Sequence, residues 1–514
     1  MPTKPSTPTV EQPRPSIPAE ASSPWIETRR FPRFPALRGS LAVDVAVVGG
    51  GITGITAATL LKAAGKTVAL VDAQRVAEGV TGYTSAHLTE VLDCRFHTLL
   101  SHFGEDDGRL ALEAARAALD QIARLVQEKR IECGFQRLPG FYFTERQEGV
   151  DDVQQEIEAA LRLGSEVSFT TEVPLPFPVK AAFRIENQAR FHVREYLLPL
   201  LESIAGDGSS VFEDTRVLNV HDGAPCVVET DKAEIRATDV VMATHVPLNR
   251  LLLQTKLAHY RSYVLGCRIT ERVGDALYWD NEDPYHYVRL ADLEGESLLI
   301  VGGEDHKVGQ EEDTEARYEA LLGYVRRRFG VREVPYRWSA QVIEPVDGLP
   351  YLGRNSGSSH VYVGTGYSGT GLTFGTLAAM IASDLILERT NRWAALFDAT
   401  RVKPVAGARD FVAENVDFPK HLVGDRLKPA EGGTPDELAP GDGQILAIEG
   451  RKRAVFRDPS GTLHILDPVC PHLGCLVTFN PAEKSWDCPC HGSRFEGTGK
   501  VINGPASTDL EPAQ

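Results

Sequence analysis

Asp44-Val-Ala-Val-Val-Gly49-Gly-Gly51-Ile-Thr-Gly54 sets three glycines at G-x-G-x-x-G spacing. An apolar run, Leu41 to Val48, leads into them, and Ile52 to Ala64, with apolar residues at helical spacing closed by Gly65, leads out. A strand, a glycine turn and a helix in that order give the pattern a mechanism. Gly49 permits the tight turn, Gly51 lets the backbone approach a pyrophosphate, and Gly54 lets the helix pack closely. The amides at the helix start, around Ile52 and Thr53, aim partial positive charge at the phosphates. A second strand, Thr67 to Val71, ends at Asp72-Ala73, 23 residues beyond Gly49, where the carboxylate is placed to bind ribose hydroxyls. The expected fold class is α/β (α+β) with a Rossmann-type nucleotide domain.

The chain has 514 residues, which suggests two to four domains. Hydrophobic residues are 42% and charged residues 24%, which sets aside collagenous, coiled-coil and wholly disordered classes. A formal net charge of -17 argues against nucleic acid or an anionic membrane surface as a general partner. The N-terminal segment lacks a charged start followed by an apolar stretch, and Arg29-Arg30 leads into Phe-Pro-Arg-Phe-Pro rather than an export segment, so a cytoplasmic location is expected. Val361 to Ser383 is uncharged, yet Gly364, Gly366, Gly369, Gly371 and Gly375 break its first half. It reads as a glycine loop feeding a buried helix, not a membrane span.

Residues 1–38, rich in Pro, Ser and Thr, read as a flexible arm. Arg109 to Lys129 and Thr314 to Phe329 read as amphipathic helices, and Val211 to Val241 as short strands with turns between them. A main domain over 39–417, a linker over 418–437 and a small β domain over 438–514 are expected. The last carries the short β-type runs Gln444 to Ile448, Ala454 to Arg457 and Leu463 to Leu466.

FAD and NAD share the opening fingerprint. Later segments separate them: Asp347-Gly348-Leu-Pro350, then Gly364-Thr-Gly366-Tyr-Ser-Gly369-Thr370-Gly371-Leu372-Thr373, and Gly79-Val-Thr81-Gly82-Tyr-Thr-Ser85-Ala86. These resemble the D-amino-acid-oxidase-like FAD superfamily over roughly residues 41 to 405. The resemblance implies an inserted antiparallel-sheet substrate domain and noncovalent FAD. It places Thr81, Ser85, Ala86, Ala243, Thr244 and Gly348 near the cofactor, with the loop from Gly366 to Thr373 opening a helix toward the flavin pyrimidine edge. His87 and His245 stand where many relatives have glycine, and either could touch the flavin.

Four of the eight cysteines crowd into the C-terminal stretch, a pattern that suggests a metal site. Cys470-Pro-His472, fifteen residues, then Cys488-Pro-Cys490-His491 supplies two Cys and two His, a set that a tetrahedral zinc could also use. The boxes Cys470-Pro-His472-Leu-Gly474-Cys475 and Cys488-Pro-Cys490-His491-Gly492-Ser493, with Gly504-Pro505-Ala506, closely resemble Rieske [2Fe-2S] proteins. That resemblance implies Cys470 and Cys488 on one iron, His472 and His491 on the other, and a loop-tying disulfide between Cys475 and Cys490. Ser493 matches a hydrogen-bond donor to a bridging sulfide, whereas Phe495 stands where high-potential members carry tyrosine, so an intermediate potential is expected. With 23 residues after His491, a mononuclear-iron oxygenase is not expected.

Two-electron flavin chemistry beside a one-electron cluster makes a converter. The expected activity is an FAD-dependent dehydrogenase that oxidises the C–N bond of a small-molecule amine or amino acid. The cluster would then pass electrons singly to an external acceptor. Reverse flow from a reduced carrier to the flavin, or a noncatalytic redox relay, are the alternatives. Direct donation from NAD(P)H would need a second nucleotide fold, and only one G-x-G-x-x-G is found. Tyr263, His306 and Trp338 are the candidate catalytic residues, with Tyr287 and Arg261 as further candidates for the pocket.

Overall fold

Leu41–Val48 is a central strand of an eight-stranded sheet, flanked in parallel by Val68–Val71 on one side and Glu234–Met242 on the other. The computed structural model describes residues 21–248, 251–293, 295–401, 426 and 432–513. Ser210–Phe212 extends the sheet at one end, and Val361–Thr365 with its antiparallel neighbour Tyr351–Arg354 extends it at the other. Alternation sorts the side chains: Val45 and Val47 pack with Ile55 and Leu61 of the helix Ile52–Ala63 and with Ala379 and Ala382 of the helix Gly371–Ile386. Ala46 and Val48 point to the opposite face, among Val228, Ile235 and Val363. The first strands and the helices Ile52–Ala63 and Thr314–Phe329 thus fall where periodicity sets them.

A second, nine-stranded sheet holds Val331–Pro345, Leu257–Ile269, Glu296–Lys307, His286–Leu293, Leu277–Asp280, Gln136–Thr144 and Ala181–Arg190 in that order. All neighbours are antiparallel except the pair Leu277–Asp280 and Gln136–Thr144. The helix Thr314–Phe329 covers one face through Tyr318, Leu321 and Val325. The C-terminal domain consists of a three-stranded sheet, Gly443–Ile448, Arg451–Arg457 and Leu463–Leu466, and a four-stranded sheet, Thr478–Asn480, Ser485–Asp487, Arg494–Glu496 and Val501–Asn503.

Two expectations change. The helix expected from Arg109 starts at Phe96, with a break at Gly104, φ +75°. The proposed arm is packed from residue 21 onward, while residues 1–20 lie outside the described residues. Ser23 caps the short helix Pro24–Thr28 and its Oγ donates to Gly82 O at 2.6 Å. Trp25, 1% exposed, donates from Nε1 to Thr84 O, and Phe31 lies under the Arg194 guanidinium. Aromatic anchors outweigh a composition that otherwise reads as disorder. Most of the linker expected over 418–437 lies outside the described residues. No helix among the described residues is long and apolar enough to cross a membrane.

Candidate redox site

The glycine turn is built as its spacing requires. A Cβ on Gly49 would lie 2.3 Å from Ala243 O, and one on Gly54 only 1.8 Å from Gly49 O, so neither position accepts a side chain. Asp72 accepts the Gly50 amide at Oδ2 and the Gln74 amide at Oδ1, both at 2.8 Å, and burial pushes its carboxyl above the ordinary range. Thr81 Oγ1 accepts the Ile52 amide at 3.1 Å, which fixes the loop carrying Ser85 and Ala86 to the helix start. Across the sheet, Thr365 Oγ1 donates to His245 O, Thr370 Oγ1 to Tyr367 O and Thr373 Oγ1 to Thr89 O. These bonds hold the Gly366–Thr373 loop beside Ala243 and Thr244. Gly348, at φ +92°, packs against Cys94. Gly371, where the second helix begins, faces open space. Backbone pressed tightly at two glycines and left open at a helix start is a cradle that fits a dinucleotide, and the residues present fit FAD.

Opposite that cradle, one face of the nine-stranded sheet gathers polar and aromatic groups. His87 Nδ1 lies 3.0 Å from Ser85 Oγ, and its ring meets Tyr287 edge-on and Trp279 at a tilt. Burial and the nearby Arg289 hold this imidazole neutral, pushed down to about 3. Tyr287 Oη lies 3.0 Å from Ser262 Oγ, and Ser262 also bonds to Asp305. Burial raises Asp305 to about 7 and Asp93 to about 6, while Asp93 accepts the Gly369 amide from the flavin-side loop. Tyr285 lies within electrostatic reach of both acids.

Tyr263 and His306 occupy the other face, joined at 2.8 Å, where Tyr263 packs edge-on against Tyr318. Trp338 is fully buried and donates from Nε1 to Tyr83 O. The sequence reading missed Asp305, Asp93 and Tyr285. Each lies far in sequence from the glycine motif, and no local pattern marks them.

In the C-terminal domain Cys470, His472, Cys488 and His491, the residues expected to hold the cluster, come from two loops. Cys470 and Cys488 lie within hydrogen-bonding reach of each other, and the rings of His472 and His491 stand edge to face with centroids 5.1 Å apart. A thiol pair and an imidazole pair are the donor set that fits the two irons of a Rieske [2Fe-2S] cluster. Cys475 and Cys490 are bonded as a disulfide tying the two loops, and Ser493 Oγ accepts the Ala506 amide from the third loop at 3.0 Å.

The ligand loops lie against the nine-stranded sheet. Gln341 Nε2 donates to Gly492 O at 3.0 Å and its Oε1 accepts from Asn503 at 3.3 Å. Thr314 Oγ1 donates to Asn480 Oδ1 at 2.7 Å, and Arg337 reaches Ala482 O. Arg261 pairs with Glu483, which also pairs with Arg494, itself bonded to Asp487 at 2.9 Å.

The family model for FAD dependent oxidoreductases, named DAO, matches residues 44–385, and the Rieske [2Fe-2S] domain model matches 431–513. YhfW of Bacillus subtilis (strain 168), provisionally named a Rieske 2Fe-2S iron-sulfur protein, is 34% identical over 491 residues, 95% of this chain and 96% of that one. Gamma-glutamylputrescine oxidoreductase of Escherichia coli (strain K12) is 24% identical over 374 residues, 70% of this chain and 86% of that one. Among solved structures, glycine oxidase from Geobacillus kaustophilus superposes with a TM-score of 0.58 at 19% identity, covering 70% of this chain and 99% of the other.

Proposed function

The chain belongs to the DAO family of FAD-dependent oxidoreductases and carries a Rieske [2Fe-2S] domain, and from that premise we propose a dehydrogenase that oxidises the C–N bond of an amine or amino acid and exports the electrons through the cluster. The observation that carries the reading is the seating of the cluster-ligand loop on strands that also border the flavin cradle: Gln341 holds Gly492 O, while Ile343 O, two residues on, accepts the Ser368 amide. When bound, FAD accepts two electrons and a proton as a hydride equivalent, and the cluster accepts one electron at a time.

The chain's own residues supply binding and proton handling. An amine arrives as ammonium and must lose a proton before its C–H bond can give up hydride. Asp305, raised by burial to about 7, is poised to take that proton at neutral pH. Tyr285 lies within electrostatic reach of Asp305 and neutral His87 meets Tyr287 edge-on on the same sheet face, so an ammonium bound there would be shielded from water and drawn more strongly to the carboxylate. The C–N single bond becomes C=N with release of two electrons and two protons, and water then hydrolyses the imine. Two equivalents of a one-electron acceptor remove the electrons. The relatives' names, a gamma-glutamylputrescine oxidoreductase and a glycine oxidase, support an amine-bearing substrate.

Anaerobic titration with pools of amines and amino acids tests this. Stoichiometric bleaching of the flavin by a pool supports the reading, and bleaching by reduced carriers alone overturns it in favour of reverse flow.

A further inference from the structure

His259 stands where the two redox sites meet. It lies on Leu257–Ile269, opposite Ile343. Two residues earlier Leu257 packs on the flavin-side loop: a Cβ added to Gly366 would sit 3.3 Å from Leu257 Cδ2. On its other side the His259 ring is pressed against the cluster-ligand loop. A Cβ on Gly492 would lie 2.9 Å from its Cγ and Nδ1, so only glycine fits beside His491. The ring is buried, its charged neighbours would be His491, His245 and His472, and among the described residues neither ring nitrogen has a hydrogen-bond partner.

His245 completes the row from the flavin side. It follows Ala243, whose carbonyl closes on Gly49, and it adopts φ +64°, a conformation glycine takes freely and a side-chain residue takes at a steric cost. Its Nε2 is also buried without a partner among the described residues. A histidine at positive φ and a buried histidine without a hydrogen-bond partner among the described residues, neighbours of each other and of His491 and His472, sit between the two cofactor sites. The junction is also fixed, because Gln341 and the Arg261–Glu483 pair hold the domains together.

We propose that His259 is the positioning residue that bridges the two centres, holding the histidine edge of the Rieske site against the flavin site so that electrons cross there one at a time. The proposal rests on electron exchange between flavin and cluster, and it does not depend on an amine as the donor. Each crossing takes one electron from reduced flavin and reduces one oxidised cluster. An external one-electron acceptor reoxidises the cluster between crossings, and after two crossings the flavin is oxidised and its proton is in solvent.

The test uses the full-length holoprotein, anaerobic, with the flavin reduced by a light pulse in the presence of EDTA and the oxidised cluster as its acceptor, so no substrate is needed. The readouts are the rate of flavin reoxidation coupled to cluster bleaching, the cluster's electron paramagnetic resonance spectrum, and its midpoint potential. In His259→Ala the coupled rate should fall by about tenfold or more with spectrum and potential unchanged, and added imidazole should restore it. A coupled rate equal to wild type overturns the proposal, as does a loss that follows a shifted potential. If His259→Ala fails to hold its cluster, His259→Leu serves, since it fills part of the ring's space against Gly492 without the imidazole and leaves the Gln341 bonds in place. A slowed crossing supports the bridge, and an unchanged one overturns it.

Discussion

Arg261 and Glu483 pair across the junction between the flavin-binding body and the iron-sulfur domain, with only 7% and 9% of their side-chain surfaces exposed. Glu483 also faces Arg494, so one carboxylate serves two guanidinium groups from different domains. A tether alone would let the cluster domain swing, whereas a buried network with Gln341 and Thr314 beside it fixes the docked position.

Removing that carboxylate's charge should be felt. Glu483→Gln leaves Arg261 and Arg494 facing each other in a buried setting, and breaking a buried pair costs about 3 kcal/mol. Calorimetry should show a lower unfolding temperature and an earlier, separate transition for the C-terminal domain. A single unshifted transition would mean that docking does not depend on the pair.

Asp305 carries a pH signature. Its carboxyl is raised by burial to about 7, so between the ordinary carboxylate range and 7 the folded protein binds the proton more tightly than the unfolded chain. Its contribution to stability is present at low pH and is lost as pH rises through 7. Asp305→Asn should remove that fall, and urea midpoints measured from acid to mildly alkaline pH will show it. The same variant should lose the amine-dependent rate near neutrality while light still reduces its flavin.

Phe495 is fully buried within the cluster's packing shell. Phe495→Tyr would add a donor toward a ligand sulfur, which favours the more negative reduced cluster. A hydrogen bond worth about 1 kcal/mol corresponds to about 40 mV for a one-electron couple. A redox titration should show the midpoint rise; an unchanged or lower value would show that the hydroxyl does not reach the cluster.

Gly54→Ala puts a methyl 1.8 Å from Gly49 O and must push the turn out of place. Flavin retained on purification should fall by about tenfold, equivalent to 1.4 kcal/mol, while the cluster spectrum persists. Full flavin content would disprove the role given to the turn.

Legibility followed locality. Gly49, Gly51, Gly54 and Asp72 sit within one strand-turn-helix-strand unit, so spacing marks them, whereas Cys470, His472, Cys488 and His491 lie in two short loops whose spacing also suits zinc and which the resemblance to Rieske proteins assigns to a cluster. Asp305, Asp93 and His259 become neighbours of the cofactor sites only through pairings such as Arg261 with Gln341 and His259 with Ile343. No short window contains that information. Trp25 was hidden for a different reason: its proline- and serine-rich surroundings read as an arm, yet one indole seated on Thr84 O orders the segment. The long helix was read short because Gly104 interrupts its pattern, although the chain resumes the helix on either side.

In the proposed reaction, electrons taken from an amine at the flavin leave through the Rieske cluster. Anaerobic rapid mixing with a reducing amine pool, followed optically for the flavin and by freeze-quench electron paramagnetic resonance for the cluster, tests it directly. Flavin bleaching should come first, and the reduced-cluster signal should rise as the flavin recovers. A cluster signal that precedes flavin bleaching, or a flavin that bleaches while the cluster stays oxidised, would contradict it.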